Sequence, residues 1–146
     1  MIDTSKFSGD PILQQALTEV NDITAKATAL IQSPLPATVY AHVKAHMEQS
    51  DTIAAEIVQK SAELSMAMHL KKQSYQKTVK DRTEEAWDDY GRNRFFAENI
   101  VNGDAEVADM NLVIKCLGSA IDSLEALRWL ITRNKDHVVQ MFEKTK

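Results

Sequence analysis

The residues best suited to chemistry lie between Lys71 and Arg94. Lys71, Lys72, Lys77, Lys80 and Arg82 form a basic stretch whose single acid is Asp81, and Arg92 and Arg94 follow it. Tyr75, Trp87 and Tyr90 are interleaved with these cations. Single-stranded nucleic acid is bound by cations along the phosphates and flat rings under the bases, so this stretch is the candidate binding track. The same charges also suit a solvated helix end, because Glu84, Glu85, Asp88 and Asp89 follow directly and can pair with them one turn away. A ring of identical subunits would repeat the track and accumulate avidity.

Other constellations carry less. His42 and His46 stand four apart, which puts both imidazoles on one helix face and makes half of a metal site. No Glu-x-x-His pair, His-Glu-x-x-His or cysteine cluster completes it, so a solvated face is the expectation, and His69 and His137 are isolated. Cys116 falls at an apolar-periodic position and reads as a reduced, buried thiol. There is no Gly-x-Ser-x-Gly, no glycine loop to cradle phosphate and no paired-carboxylate signal beyond the acidic run. An enzyme, a bound metal and a cofactor are therefore not expected.

The elements that must position the basic track are helices. From Pro36 to about Glu98 no further proline intervenes, and the first glycine is Gly91. Val43, Met47, Ser50, Ala54, Ile57, Ser61, Leu64, Met68, Lys71, Tyr75 and Thr78 alternate by four and three, the spacing that keeps one seam toward partner helices. A helix over 36–98 would be about 90 Å long, with a break or kink at Gly91 as the open point. Were it broken there, Phe95, Phe96 and Ile100 would form a separate apolar anchor. Ahead of it, residues 1–9 read as a polar arm, and Asp10-Pro11 caps a first helix over 11–32 with Leu13, Leu17, Val20, Ala27, Leu30 and Ile31 on one face. Ser33-Pro34-Leu35-Pro36 ends that helix. Asn102-Gly103-Asp104 is a turn, with Asp104 capping a last helix over 104–143. Its stripe is Met110, Ile114, Leu117, Ile121, Leu124, Leu127 or Arg128, and Ile131, widened by Val113, Ala120 and Leu130.

The totals agree with one all-α domain. The 146 residues are 44% apolar but only 6% aromatic, with Gly 4 and Pro 3, which suits helix-on-helix packing. A single cysteine permits no internal disulfide, the start lacks a secretory signal, and no stretch reaches the length of a membrane span. A cytoplasmic protein is the expectation. The net charge of −4 argues against coating duplex DNA through bulk positive charge, but not against a local basic track. The expected architecture is an elongated helical protein with one very long central helix, antiparallel packing and homo-oligomerisation. The small-residue seam is left over for other subunits.

Three places in the second half resemble the UvsY family, the recombination mediators of T-even-like phages. Val79-Lys80-Asp81-Arg82 and Asp89-Tyr90-Gly91-Arg92 are similar to that family's Lys-x-Arg motif and the Tyr-Tyr-(Ser)-Gly-like turn after it. Val101-Asn102-Gly103-Asp104-Ala105-Glu106-Val107 resembles its entry to the last helix. Leu124-Glu125 followed by Ile131-Thr132-Arg133 resembles its C-terminal Leu-Glu…Ile-x-x-Arg. The likeness covers about residues 79–143. Several extra residues separate Arg82 from Tyr90, and the family's C-terminal Trp is absent.

The resemblance implies a non-enzymatic, ring-like helical oligomer that binds single-stranded DNA. Such a protein helps load a RecA-like recombinase onto strands covered by single-strand-binding protein. It assigns Lys80 and Arg82 to phosphates, with Lys71, Lys72, Lys77, Arg92 and Arg94 in support and Tyr90 as a stacking residue. It also implies that the last helix holds subunits together through Ile114, Leu117, Ile121, Leu124 and Ile131. The alternative is a helical scaffold or chaperone-type module that uses its seam to bind protein and does not bind nucleic acid.

Overall fold

The computed structural model describes residues 1–34, 39–89 and 94–145, apart from the side chains of residues 89, 94, 96 and 145. Among these residues there is no strand. A single 3₁₀ turn, Thr4–Phe7, precedes four α-helices: α1 (Pro11–Gln32), α2 (Tyr40–Asp89), α3 (Arg94–Asn102) and α4 (Ala105–Thr145). The chain divides into two compact units, Met1–Leu64 with Ala120–Lys146, and Ser65–Ser119.

The N-terminal residues are more ordered than a polar arm. Asp3 caps the 3₁₀ turn by accepting from Ser5 N, and Phe7 is buried. Asn21 of α1 accepts from Ile2 N and donates to Ile2 O, both at 2.9 Å. The sequence hid this because one aromatic among polar residues has no period to read.

α1 has the expected bounds. Asp10 accepts from Leu13 N at 3.1 Å, Pro11 needs no partner at the first helical position, and Ser33 closes the last turn onto Leu30 O. Its buried face is Leu13, Leu17, Val20, Ile23, Ala27 and Leu30, while Ile31 stands half-buried at the margin.

α2 is 50 residues long. The expected start at Pro36 and the break at Gly91 both fall outside the described residues. The alternating seam is real: Val43, Ser50, Ile57 and Leu64 are buried, and Met47, Ala54, Ser61, Met68, Lys71, Tyr75 and Thr78 are half-buried. Where it is buried, the chain's own helices cover it. In the first unit, α1 meets α2 through Lys26–Glu56 at 3.4 Å and Glu19–Lys60. α4 meets α2 through His46 and Asn134 at 2.8 Å and Lys135–Asp51 at 2.6 Å. His46 is thus a buried, hydrogen-bonded core histidine, whereas His42 is exposed.

Of the five α4 residues assigned to subunit contacts, three are covered by the chain itself. Leu117 and Leu124 are 0% exposed and Ile131 is 1% exposed, while Ile114 and Ile121 are half-buried. Periodicity finds the face of a helix that is covered, and here the cover is the same chain. Leu130, expected to widen the stripe, is exposed. A Cβ added at Gly118 would find Met68 Sδ at 3.8 Å, an ordinary contact, so no close approach demands the glycine.

α3 buries Ala97 and Val101 and leaves Phe95 70% exposed and Ile100 exposed, while the side chain of Phe96, the third residue of the expected apolar anchor, lies outside the described residues. Asp104 caps α4 as the sequence implies, accepting from Val107 N at 3.1 Å, and Gly103 N bonds Asn99 O and Ile100 O at 3.1 Å.

Leu124→Ala is expected to cost about 2 to 5 kcal/mol in urea unfolding, the range for a fully buried leucine; a residue kept for subunit contacts would leave the unfolding free energy within about 0.5 kcal/mol. A second expectation concerns pH. Bonds from Lys60, then Gln15, hold Glu19 below its ordinary carboxylate value. Burial lowers the Lys60 pKa, but its bonds to Glu19 and Glu63 outweigh that and raise it overall. The Glu19 contribution is therefore complete above the unfolded-state value and lost as pH falls through the lower folded one. Glu19→Gln is expected to destabilise by about 0.5 kcal/mol at pH 7, as for an exposed pair, and the difference from the wild type is expected to shrink as pH falls below the ordinary carboxylate range.

Candidate nucleic-acid interface

The geometry of α2 sorts the basic track into two faces. At 3.6 residues per turn, taking Lys72 as the origin, Lys80 lies at about 80° and Lys77 at about 140°. His69, Gln73 and Gln76 fall between them. All six are exposed, and no carboxylate occupies this sector from His69 to Lys80. Asp81 lies just beyond one edge, and Glu84 closes the sector one turn on. Lys72, Lys77 and Lys80 have no carboxylate partner among the described residues, leaving three ammonium groups spread over about 12 Å of helix.

Lys71 and Arg82 lie on the other side of the helix, at about 260° and 280°. Lys80 and Arg82, joined in the Lys-x-Arg motif, therefore face apart, as residues two apart on a helix must. Lys71 is half-buried in the seam.

Arg82 is bound by acids of its own unit. Its guanidinium donates to Glu106 at 2.9 Å and Glu85 at 3.4 Å, and its Nε lies 3.7 Å from Asp104. The bond to Glu106, then the charge of Asp104, raises its pKa further. The Nε is buried with no hydrogen-bond partner. Arg82 thus ties α2 to the capped first turn of α4, where Asp104 is the N-cap and Glu106 lies favourably on the helix dipole. A phosphate would have to compete with these three carboxylates for it. The sequence signal for this was available in part, since Asp104 and Glu106 stand at a recognisable helix start, but their partner 24 residues away was not.

The aromatic residues divide as well. Tyr75 is half-buried in the seam. Trp87 is half-buried and falls within the lysine sector, at about 60°. It lines an open groove of about 620 Å³ with Thr83, Glu84 and Asp88, two of them acids. Tyr90 and Arg92 lie outside the described residues, as does the side chain of Arg94, the first residue of α3. The described residues contain no group of three or more His, Cys, Asp or Glu placed to hold a metal ion, and no helix long and apolar enough to cross a membrane. Cys116 is half-buried.

No protein family, curated protein or solved structure matches the chain.

Arg82→Gln is expected to speed amide hydrogen exchange in the first turn of α4 while leaving exchange in α1 unchanged. Equal exchange at both places would show that Arg82 does not hold that turn.

Proposed function

We propose that this protein is a non-enzymatic, single-stranded DNA-binding recombination mediator. The observation that carries the binding is the acid-free, exposed sector of α2 holding Lys72, Lys77 and Lys80. Three unpaired cations on one helix face, with glutamines between them, suit a flexible polyanion, which can follow the face and release counterions as it binds. The reading reassigns the phosphate contacts: Lys72, Lys77 and Lys80 carry them, and Arg82 is a structural cation. Trp87, at the end of the sector, is the ring best placed to stack on a base.

The mediator role and its partners, a RecA-like recombinase and single-strand-binding protein, rest on the resemblance to the UvsY family in the second half of the chain. The reading includes a cytoplasmic, elongated, homo-oligomeric assembly of antiparallel helices. Support for the antiparallel part comes from the order of the contacts within each unit: Glu19 meets Lys60 while Lys26 meets Glu56 in the first, and Arg82 meets Glu106 while Met68 lies beside Gly118 in the second. One observation favours a helical protein-interaction module instead. The arginine of the Lys-x-Arg motif is engaged by carboxylates of its own unit and faces away from Lys80, so the motif does not act as a unit.

The test is fluorescence anisotropy of a labelled oligo-dT across a salt series. Wild-type binding is expected to weaken with salt, and Lys72→Gln/Lys77→Gln/Lys80→Gln to lower the slope of log affinity against log salt by about 2, at about 0.7 per phosphate contact on single strands. An unchanged slope, or no binding by the wild type at low salt, would reject the nucleic-acid reading in favour of the interaction module.

A further inference from the structure

Two surfaces of the first unit remain open and are complementary. On α4, Trp129, Leu130, Arg133, His137, Met141 and Lys144 fall within a sector of about 120° and are all exposed. Trp129 is 60% exposed, with the Arg133 guanidinium 5.3 Å from its ring centroid. From Ala126 to Lys144 no carboxylate lies in this sector, although Asp136 and Glu143 border its tryptophan edge. The face is apolar and basic, and extends about 22 Å from Trp129 to Lys144.

Between α1 and α2 two open grooves, of about 720 and 380 Å³, share Lys26 and Glu56 in their walls. The larger has Ala29, Leu30, Ala45 and Ile53 in its lining, where the two alanines leave room above the buried Leu30 and Ile53. Along both grooves the carboxylates Glu19, Asp22, Glu48, Glu56 and Glu63 outnumber the two lysines, Lys26 and Lys60. From Ala45 to Glu63 the α2 wall runs about 27 Å. An acidic groove with one apolar end thus has the length and charge to receive a basic helix face carrying a tryptophan.

We infer that the α1/α2 groove is occupied by the Trp129–Lys144 face of α4 from a second copy of this chain. Trp129 fills the wide end at Ala29 and Ala45, the kind of buried aromatic anchor that dominates interface energies, and Arg133 and Lys144 meet the carboxylate wall. Within one chain α4 already lies against α2 through Asn134 and Lys135, so its outer face is available to a neighbour. Because the two surfaces differ, the contact is heterologous and propagates from copy to copy until it closes into a ring or continues as a filament. The inference deepens the self-association in the proposed function and supplies its interface.

Sedimentation velocity of the full chain, without nucleic acid, tests it. Wild type is expected to sediment as an assembly, and Trp129→Ala and Ala45→Arg each as monomers at the same concentration. Both positions are exposed, so circular dichroism is expected to give wild-type helix content for the two variants, with melting lowered only by the loss of self-association. Their equimolar mixture is expected to form a single dimer, because one variant keeps its groove and the other its face. A monomeric wild type, variants that assemble as the wild type does, or a mixture that stays monomeric would each overturn the interface. Quenching of Trp129 emission by oligo-dT in the monomeric Ala45→Arg/Trp87→Phe protein would instead assign the face to nucleic acid and also overturn it. Assembly is read without DNA, so this interface and the lysine sector fail independently.

Discussion

The constraint on which the structure depends is the seam of α2. A helix of this length with apolar and small residues alternating by four and three cannot bury that seam by itself, and water would strip most of its stabilisation in isolation. The chain answers with its own segments. In the first unit, α1 and the second half of α4 meet the part of α2 that holds Val43, Ser50, Ile57 and Leu64. In the second, the first half of α4 meets α2 near Met68 and Arg82. Ser50 is buried and Ala54 and Ser61 are half-buried along the seam, and the large residues between them supply the apolar area.

Once the seam is covered, the charges sort themselves by whether they border it. Lys26, Lys60, Lys135 and Arg82 lie where another helix brings a carboxylate within reach, and each forms an ion pair there. Lys72, Lys77 and Lys80 lie on the side of α2 away from the seam and have none. This separates cations that help align helices from cations available to a ligand. It also explains how a chain of net negative charge can present a local basic face: none of its 21 acids falls between His69 and Lys80, while acids gather at the α1/α2 groove, over residues 81–89 and at the start of α4.

Arg82 shows the consequence of that sorting. By sequence it belongs with Lys80, two residues away, and a phosphate-binding role for both is the natural reading. A helix turns about 200° over two residues, so one of the pair must face the seam side whenever the other faces out. The residue that faces in is the arginine, whose planar fork can engage several carboxylates at once, and it anchors the capped turn of α4.

The sequence by itself determined the helical class, the bounds of α1, the caps at Asp10 and Asp104, and which residues of α2 and α4 lie on the covered face. All of these depend on local chemistry or on a period of 3.6 residues, and both are carried by neighbours in the chain. Only the tertiary structure decided what covers those faces. Periodicity records that Leu117, Leu124 and Ile131 are hidden, but not whether the cover is another subunit or the same chain. Nor does it reveal that Phe7 is buried, that His46 reaches Asn134, or that Glu106 takes Arg82. Those contacts join residues far apart in the chain, and their energy exists only after the helices have docked.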